Sequence, residues 1–227
     1  MSSARLTPTV AADSWENGSV TALHPELLQR DEEGACPTAY GQCNLSPAAA
    51  VEFTVNHTVA EVGAYPQAVK AVMIDNAFWQ STPLPCGFED AAVASFRSYI
   101  EQRFGGRASS VFGGLPIAPP TAAQRNSSAA HDRALYNAWK IWRERAYGEA
   151  TERYRQRLHP LGVAVLANVD FWPESWTRGS AEVLGHVDAV ISESHDSSAS
   201  SMAEKYSLGL GLTPSRPNLN YIAVFNQ

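Results

Sequence analysis

Short apolar runs rich in β-branched residues alternate along the chain with stretches of helical periodicity. Five of these runs are candidate strands, at residues 5–9, 69–75, 161–168, 187–193 and 221–225. Strands that alternate with helices are typical of βα units around a parallel sheet. The run at 161–168 is almost continuously apolar, as expected of a strand that is covered on both faces. The pattern therefore predicts an α/β fold.

The helical stretches have recognisable starts and stops. Ser46 and Pro47 supply an N-cap and a first-turn proline for a helix that continues to about residue 63. Residues 89–104 carry apolar positions three and four apart and end at two glycines. A second such helix covers about 132–158, with Leu135, Trp139, Trp142 and Ala146 on one face, and ends at a His-Pro pair. Shorter helices are predicted at 180–184 and 198–206.

The remaining segments are predicted to lack regular structure. Residues 10–45 are polar and irregular, and residues 107–128 are rich in Pro, Gly and Ser, which favours a long loop. No internal repeat of 20–50 residues is present. A closed (β/α)₈ barrel has eight strands, and at most five are visible in the sequence. We therefore predict a single domain over 1–227 with a TIM-type barrel fold. Either three strands are not visible in the pattern, or the chain begins and ends inside the barrel and is an incomplete one.

Composition limits the classes of partner. The chain has 227 residues, 44% of them apolar and 18% charged, which is ordinary for a globular protein. Its net charge of -6, with 17 scattered basic residues, argues against nucleic acid. It contains neither an apolar run of membrane-spanning length nor a signal peptide at the start, so we expect a cytoplasmic protein with no membrane partner.

The cysteines and five of the histidines indicate no special chemistry. The three cysteines form no CxxC pair, which argues against a zinc ribbon or a disulfide scaffold, although a bridge between Cys36 and Cys43 stays open. The five histidines have no acidic partner at a telling spacing, so we interpret them as surface or capping residues. They are His24, His57, His131, His159 and His186.

Polar residues follow three of the predicted strands, where a parallel sheet or barrel binds its ligand. The residues concerned are Asp75, Asn76 and Trp79 after the second candidate strand, Asn168, Asp170 and Trp172 after the third, and Glu193 and His195 after the fourth. Three strands thus end in a carboxylate. Two of them add a nearby tryptophan.

Two carboxylates and two tryptophans suit the cleavage of a glycosidic bond. One carboxyl group protonates the leaving oxygen, and the other acts as nucleophile or activates water. Asp75 and Glu193 are the best pair, and Trp79 and Trp172 could cover the apolar face of a sugar ring. The structural alternative is that these carboxylates cap helices or pair with loop residues, and that the tryptophans close the barrel mouth.

His195 raises the question of a metal site. His195, Asp196 and the nearby Glu193 are residue types that bind divalent ions. No second histidine stands at ligand spacing, so we predict neither a metal nor another cofactor.

Several stretches resemble a known family. They are Thr7-Pro-Thr9 with Trp15, the run from His24 to Gly34, the run from Tyr40 to Pro47, the run Val72-Met-Ile-Asp-Asn76 with Cys86, and the segment that includes Phe96-Arg97 and Arg103-Phe-Gly105. In order, these resemble the region around the third and fourth strands of family forty-two β-galactosidases and related hypothetical glycosyl hydrolases. The resemblance covers the first half of the chain well and the second half only by strand order.

The resemblance implies a chain that runs from about strand three to about strand seven of a barrel. In the β-galactosidases the glutamate acid/base follows the matching Asp-Asn pair, but Ala77 stands there in this chain. The sequence is in this respect more similar to the hypothetical glycosyl hydrolases and to α-fucosidase-like enzymes. In those, an aspartate that closes the fourth strand is the nucleophile, which implies that role for Asp75.

The sequence thus predicts a retaining glycosidase with a carbohydrate substrate. Its predicted nucleophile is Asp75, its predicted acid/base is Glu193, and the other residues named after the strands line the sugar site. Three alternatives stay open: a non-catalytic or degenerate carbohydrate-binding barrel, an incomplete gene product that is inactive alone, and, last, a metal-dependent hydrolase.

Overall fold

The computed structural model describes residues 23–35, 38–39, 42–43, 45–74, 86–114, 117–169, 185–194 and 218–222. Its strands are β1 (Thr38–Ala39), β2 (Gln42–Cys43), β3 (Ala71–Ile74), β4 (Ala164–Val169), β5 (Ala189–Ser194) and β6 (Asn218–Ile222). Its helices are α1 (Pro47–Ala64), α2 (Asp90–Phe104), α3 (Ala108–Phe112), α4 (Ala122–Arg125) and α5 (Ala130–Leu158). Turns of 3₁₀ helix occupy Pro25–Leu27, Gly105–Arg107 and His159–Leu161.

Strands β3, β4, β5 and β6 form a parallel sheet in chain order. These strands confirm the last four of the five predicted ones, with shifted boundaries. The first predicted strand, at 5–9, lies outside the described residues, as do the short helices predicted at 180–184 and 198–206. Neighbouring parallel strands require crossover connections, and α5 supplies the one that leads into β4.

The segment predicted to be irregular up to residue 45 contains regular structure. Strands β1 and β2 pair antiparallel, and Leu28 bridges to Leu45 close by. Strands of two residues are too short to show periodicity, which is why the sequence did not reveal them. The bridge brings Leu28 and Leu45 into the core beside the start of α1.

Helix α1 begins and α2 ends near the predicted positions. The Ser46 hydroxyl accepts a hydrogen bond from the backbone N–H of Ala49 at 3.3 Å, and Pro47 occupies the first turn. Helix α2 ends at Gly105, whose φ is 50°. Both termini follow from local chemistry that the sequence displays.

The predicted loop at 107–128 is wrong in part, because α3 and α4 lie within it. Helix α3 continues almost directly from the Gly105–Arg107 turn, and Phe112 at its end is buried against the second of two cores. Helix α4 begins with a capping box in which Thr121 and Gln124 exchange hydrogen bonds. That box is a local signal that the high Pro and Gly content of the segment obscured.

Two hydrophobic cores share α5. The first core packs α1 and the end of α5 against one face of the sheet, and it includes Val72, Ile74, Val165 and Ala167. The second core joins α2, α3 and the first half of α5 through Phe96, Phe112, Trp139 and Trp142. Helix α5 has 29 residues, about 44 Å at the rise of an α-helix, which is long enough to serve both.

The two faces of the sheet differ in exposure. Val72 and Ile74 on β3, with Val165 and Ala167 on β4, are buried beneath the helices. The alternate residues Ala71 and Met73 pair with Ala164 and Leu166, and all four are only partly buried. Successive strand residues face opposite sides, so these four define the face away from the helices.

In the part of the chain that the structure describes, no helix is long and apolar enough to cross a membrane.

Candidate functional site

The carboxyl edge of the sheet was predicted to hold the site, and the structure describes part of its backbone. Asn168 lies in β4 and pairs with Ile191 of β5. Glu193 lies in β5 and pairs with Tyr221 of β6. The other predicted site residues, Asp75, Asn76, Trp79, Asp170, Trp172 and His195, lie outside the described residues.

The strand register shows how far along the strand direction each of these backbone positions lies. Ile74, the last residue of β3, is level with Ala167, which is level with Val190. Asn168 is one residue beyond that level, and Glu193 is three residues beyond it, about 10 Å further along the strand direction. Adjacent strands are about 4.8 Å apart, so β3 and β5 are separated by roughly twice that spacing.

A buried polar cluster follows residues 75–85, which come after β3. Arg143 on α5 donates from Nη2 to Cys86 Sγ at 3.4 Å, and its guanidinium lies 4.6 Å from the centre of the Trp139 ring. Gly87 has a φ of 99°, which favours glycine. A Cβ on Gly87 would lie 3.6 Å from Trp139 Nε1, so the backbone passes close to that indole.

Cys86 is a neutral thiol in this cluster. Burial raises its pKa and outweighs the opposing effect of the Arg143 cation, while the nearby Glu89 carboxylate raises it further. A thiol is a much weaker nucleophile and metal ligand than a thiolate. Cys86 therefore contributes packing and a weak acceptor for Arg143.

Glu89 joins the start of α2 to the segment near residue 30. Its Oε2 accepts a hydrogen bond from the backbone N–H of Arg30 at 3.0 Å. The Arg30 carbonyl in turn accepts from the N–H groups of Gly87 and Phe88 at 3.0 and 3.1 Å. These three bonds hold residues 86–89 firmly in place. Within the part of the chain that the structure describes, the buried atoms Glu89 Oε1 and Trp139 Nε1 have no hydrogen-bonding partner.

Sequence reasoning missed the burial of Arg143. It placed Trp139 and Trp142 on one helix face, and both are buried, but it made no prediction for Arg143, which is buried as well. Arg143 is four residues after Trp139, and residues four apart share a helix face. That spacing was the signal available in the sequence.

The histidines were interpreted as surface or capping residues without acidic partners at a telling spacing. Four of them, His24, His57, His159 and His186, are partly exposed but do lie within 4 Å of a carboxylate. His159 Nε2 lies 2.8 Å from Asp188 Oδ2, and His186 Nδ1 lies 3.0 Å from Glu152 Oε2. Both pairs join residues far apart in the chain, so sequence spacing could not show them. His24 also contacts Glu26, at 3.1 Å. The bridge between Cys36 and Cys43 that the sequence left open stays untested, because Cys36 and the side chain of Cys43 lie outside the described residues.

These two histidine pairs lie at the amino edge of the sheet, opposite the predicted site. Asp188 precedes β5, and its Oδ2 also accepts a hydrogen bond from the Val165 N–H at 2.8 Å. Its own N–H donates to the Val165 carbonyl at 2.8 Å. In barrels this edge serves stability, whereas chemistry takes place at the carboxyl edge. Within the described residues no group of three His, Cys, Asp or Glu stands close enough to hold a metal ion.

The interactions of the Asp188 carboxyl group make the stability of the fold depend on pH in the acid range. Burial raises the pKa of its carboxyl group, but the Val165 N–H and the His159 ring outweigh burial and hold the pKa below its ordinary value. A lowered folded-state pKa gives stability that is complete above the unfolded-state pKa and is lost as pH falls through the folded value.

We therefore expect the melting temperature of the chain to fall as pH drops below about 4, the range in which a free aspartate protonates. Asp188→Asn keeps an acceptor for Val165 but cannot ionise, so its melting temperature should change less over the same range. Thermal melts from pH 6 to pH 2.5 measure this. Parallel curves for the two proteins would contradict the assignment.

Comparison with known proteins shows a likeness of fold. A β-galactosidase from Bacillus circulans sp. alkalophilus superposes with a TM-score of 0.68 and 17% identity over 86% of this chain. A β-galactosidase from the psychrophilic Marinomonas ef1 gives 0.54 and 16% over 77%, and the agarase AgWH50C gives 0.51 and 14% over 78%. No protein-family model and no curated protein matches the chain.

The chain spans less than a third of each of these proteins: 31% of the first and 28% of the other two. The three are glycoside hydrolases with barrel folds. The predicted resemblance is thereby supported at the level of a glycoside hydrolase fold. The numbering of the strands as three to seven of a barrel stays a prediction.

Proposed function

We propose that this chain belongs to a glycoside hydrolase barrel that cleaves O-glycosidic bonds in a carbohydrate. The observation that carries the proposal is the parallel sheet β3 to β6, whose fold is like that of two β-galactosidases and an agarase. Such sheets bind ligands at the carboxyl edge. Of the predicted strand-end residues, Asn168 and Glu193 have backbone positions toward that edge, in β4 and β5.

Strand alternation supports a common face for these residues. Met73, Leu166 and Ala189 form one row across the sheet, and Met73 and Leu166 face away from the helices. Side chains two residues apart on a strand share a face. The same alternation predicts that face for Asp75, for Asn168 and Asp170, and for Glu193.

The proposed reaction has two steps. In the first, an Asp75 carboxylate oxygen bonds to the anomeric carbon as the glycosidic C–O bond breaks, and Glu193 donates its proton to the leaving oxygen. In the second, Glu193 takes a proton from water, the water oxygen bonds to the anomeric carbon, and the Asp75 ester bond breaks. Two inversions leave the anomeric configuration retained.

The remaining predicted residues bind the sugar in this proposal. Trp79 and Trp172 cover the C–H faces of sugar rings, where an aromatic plate displaces water. The hydroxyl groups are bound by the polar side chains Asn76, Asn168, Asp170 and His195. Each of these offers a donor or an acceptor.

A carbohydrate-binding barrel without catalysis is the second candidate function. Ala77 favours it, because the family forty-two β-galactosidases that the sequence resembles have an acid/base glutamate at the matching position. The two candidates share the sugar site and differ only in turnover.

Hydrolysis and binding must therefore be measured together. We expect the chain to release aryl groups from at least one member of a panel of aryl glycosides, with the product sugar first formed in the substrate's anomeric configuration by proton NMR. If calorimetry detects sugar binding but no hydrolysis occurs, the chain is a carbohydrate-binding barrel without catalysis. Neither binding nor hydrolysis would refute both.

A further inference from the structure

Helix α5 is longer than the sheet against which it packs. Its buried residues in the first core run from Tyr147 to Leu158, about 17 Å at the rise of an α-helix, and the six residues of β4 span about 20 Å. Leu158 lies at the amino edge, because its carbonyl accepts a hydrogen bond from the N–H of Val163, just before β4. Tyr147 is therefore level with the carboxyl edge, and residues 130–146 extend about 24 Å beyond it. We call residues 130–146 the α5 extension.

The contacts of the α5 extension agree with this position. Its buried residues belong to the second core, with α2 and α3, rather than to the core on the sheet. Cys86 follows the carboxyl end of β3 in the chain and contacts Arg143 on the extension. The backbone of Gly87 lies beside the Trp139 indole, one turn further from the sheet. The α5 extension therefore stands beside the edge to which the proposed function assigns the sugar site.

Tyr136 and Lys140 lie on the side of the extension that continues the sheet-facing side of the helix. Tyr136 is five full turns from Tyr154, and Lys140 is five full turns from Leu158, because eighteen residues complete five turns of an α-helix. Tyr154 and Leu158 are both buried in the first core. Beyond the sheet, the same side of the helix faces the space over the strand ends.

These two side chains contact each other and are partly exposed. Lys140 Nζ lies 4.6 Å from the centre of the Tyr136 ring. Partial burial lowers the pKa of Lys140 and outweighs the opposing effect of the Glu144 carboxylate. An ammonium group donates up to three hydrogen bonds, and a phenol hydroxyl both donates and accepts. The pair is therefore suited to the hydroxyl groups of a sugar.

We propose that Tyr136 and Lys140 bind a further sugar unit of an extended oligosaccharide whose first unit lies at the strand ends. Lys140 is about 10 Å and Tyr136 about 17 Å beyond the level of Tyr147 along the helix. Helical side chains lean toward the N-terminus of their helix, which here points away from the sheet. A single sugar ring at the strand ends is too short to reach them. This assignment rests on the proposed function, because that function puts the first sugar at the carboxyl edge.

Calorimetric titration with long and short ligands tests the assignment. The ligands are β-linked galactotetraose and cellotetraose, each compared with its monosaccharide. We expect the wild type to bind at least one tetrasaccharide more tightly than the monosaccharide. Lys140→Met should weaken that binding about tenfold, through the loss of a hydrogen bond from a charged donor, and should leave monosaccharide binding unchanged.

Arg145→Met is the matched control, because Arg145 is a cation on another side of the same extension, where it pairs with Glu149 at 3.0 Å. It should leave the affinity for every ligand unchanged. Tyr136→Leu is the second test variant and should weaken tetrasaccharide binding as Lys140→Met does. Thermal melts of all three variants show that they are folded.

Hydrolysis of aryl monoglycosides separates this assignment from the proposed function. If these are cleaved but Lys140→Met and Arg145→Met bind the tetrasaccharides equally, Tyr136 and Lys140 take no part in sugar binding and the proposed function stands. If tetrasaccharide binding depends on Lys140 but nothing is cleaved, the site on the extension stands and the enzyme does not. A wild type that binds neither tetrasaccharide more tightly than its monosaccharide would overturn the assignment.

Discussion

Asp75→Asn is expected to lower kcat/KM for aryl glycosides by at least about 10³-fold, a loss typical of removing a residue that acts as nucleophile. Asparagine has nearly the same shape, so the fold and sugar binding should persist. The loss should appear in kcat, because the amide cannot form the glycosyl ester on which the retaining mechanism depends. Initial rates with the wild type and the variant, at matched protein concentrations, measure the effect.

Asp188→Asn is the matched control, since it is the same chemical change at the opposite edge of the sheet. It should leave hydrolysis unchanged at neutral pH. If both variants lose activity equally, the loss reflects stability rather than chemistry. If hydrolysis survives Asp75→Asn, the nucleophile is another residue and the resemblance to α-fucosidase-like enzymes fails as a guide.

Local sequence patterns predict most elements of the fold. Strands β3 to β6 and helices α1, α2 and α5 are visible in the sequence, because each is longer than its own period and has clear terminal signals. The hairpin of β1 and β2 and helices α3 and α4 were missed. Each is too short to repeat a pattern, so its existence depends on tertiary contacts such as that of Phe112 with the second core.

The candidate site was predictable only in outline. Strand ends identify a set of polar residues, and the parallel register of β3, β4 and β5 agrees with a shared edge. Pairs such as His159 with Asp188, or Glu89 with the backbone of Arg30, join positions remote in sequence. Their geometry exists only once the chain has folded, so no spacing rule reveals them.

The proposed function assigns stability to one edge of the sheet and chemistry to the other. At the amino edge Asp188 is held by three groups, and β4 and β5 start there in fixed register. At the other edge the strands carry Asn168 and Glu193, residue types that an apolar core would not select. Polar residues at strand ends weaken packing and are retained where a ligand uses them. This contrast is the physical basis for testing Asp75 against Asp188.

Phe96→Ala and Leu158→Ala are each expected to destabilise the whole chain, although they lie in different cores. Both side chains are 0% exposed, and Phe96 packs against Trp142 with ring centres 5.5 Å apart. Removing a buried phenylalanine costs about 3–5 kcal/mol, and removing a buried leucine costs about 2–5 kcal/mol. For a chain of this size, that lowers the melting temperature by very roughly 4–20 °C.

Each substitution destabilises the whole chain because helix α5 contributes to both cores. Trp142 and Leu158 lie on that one helix, so the loss of either core frees a helix that the other core needs. Calorimetry should show a single transition for the wild type and for both variants. Ile141→Ala is the control on the same helix: Ile141 is 53% exposed, and its loss should change stability by less than about 0.5 kcal/mol. Two separate transitions, only one of them shifted by each variant, would show instead that the cores fold independently.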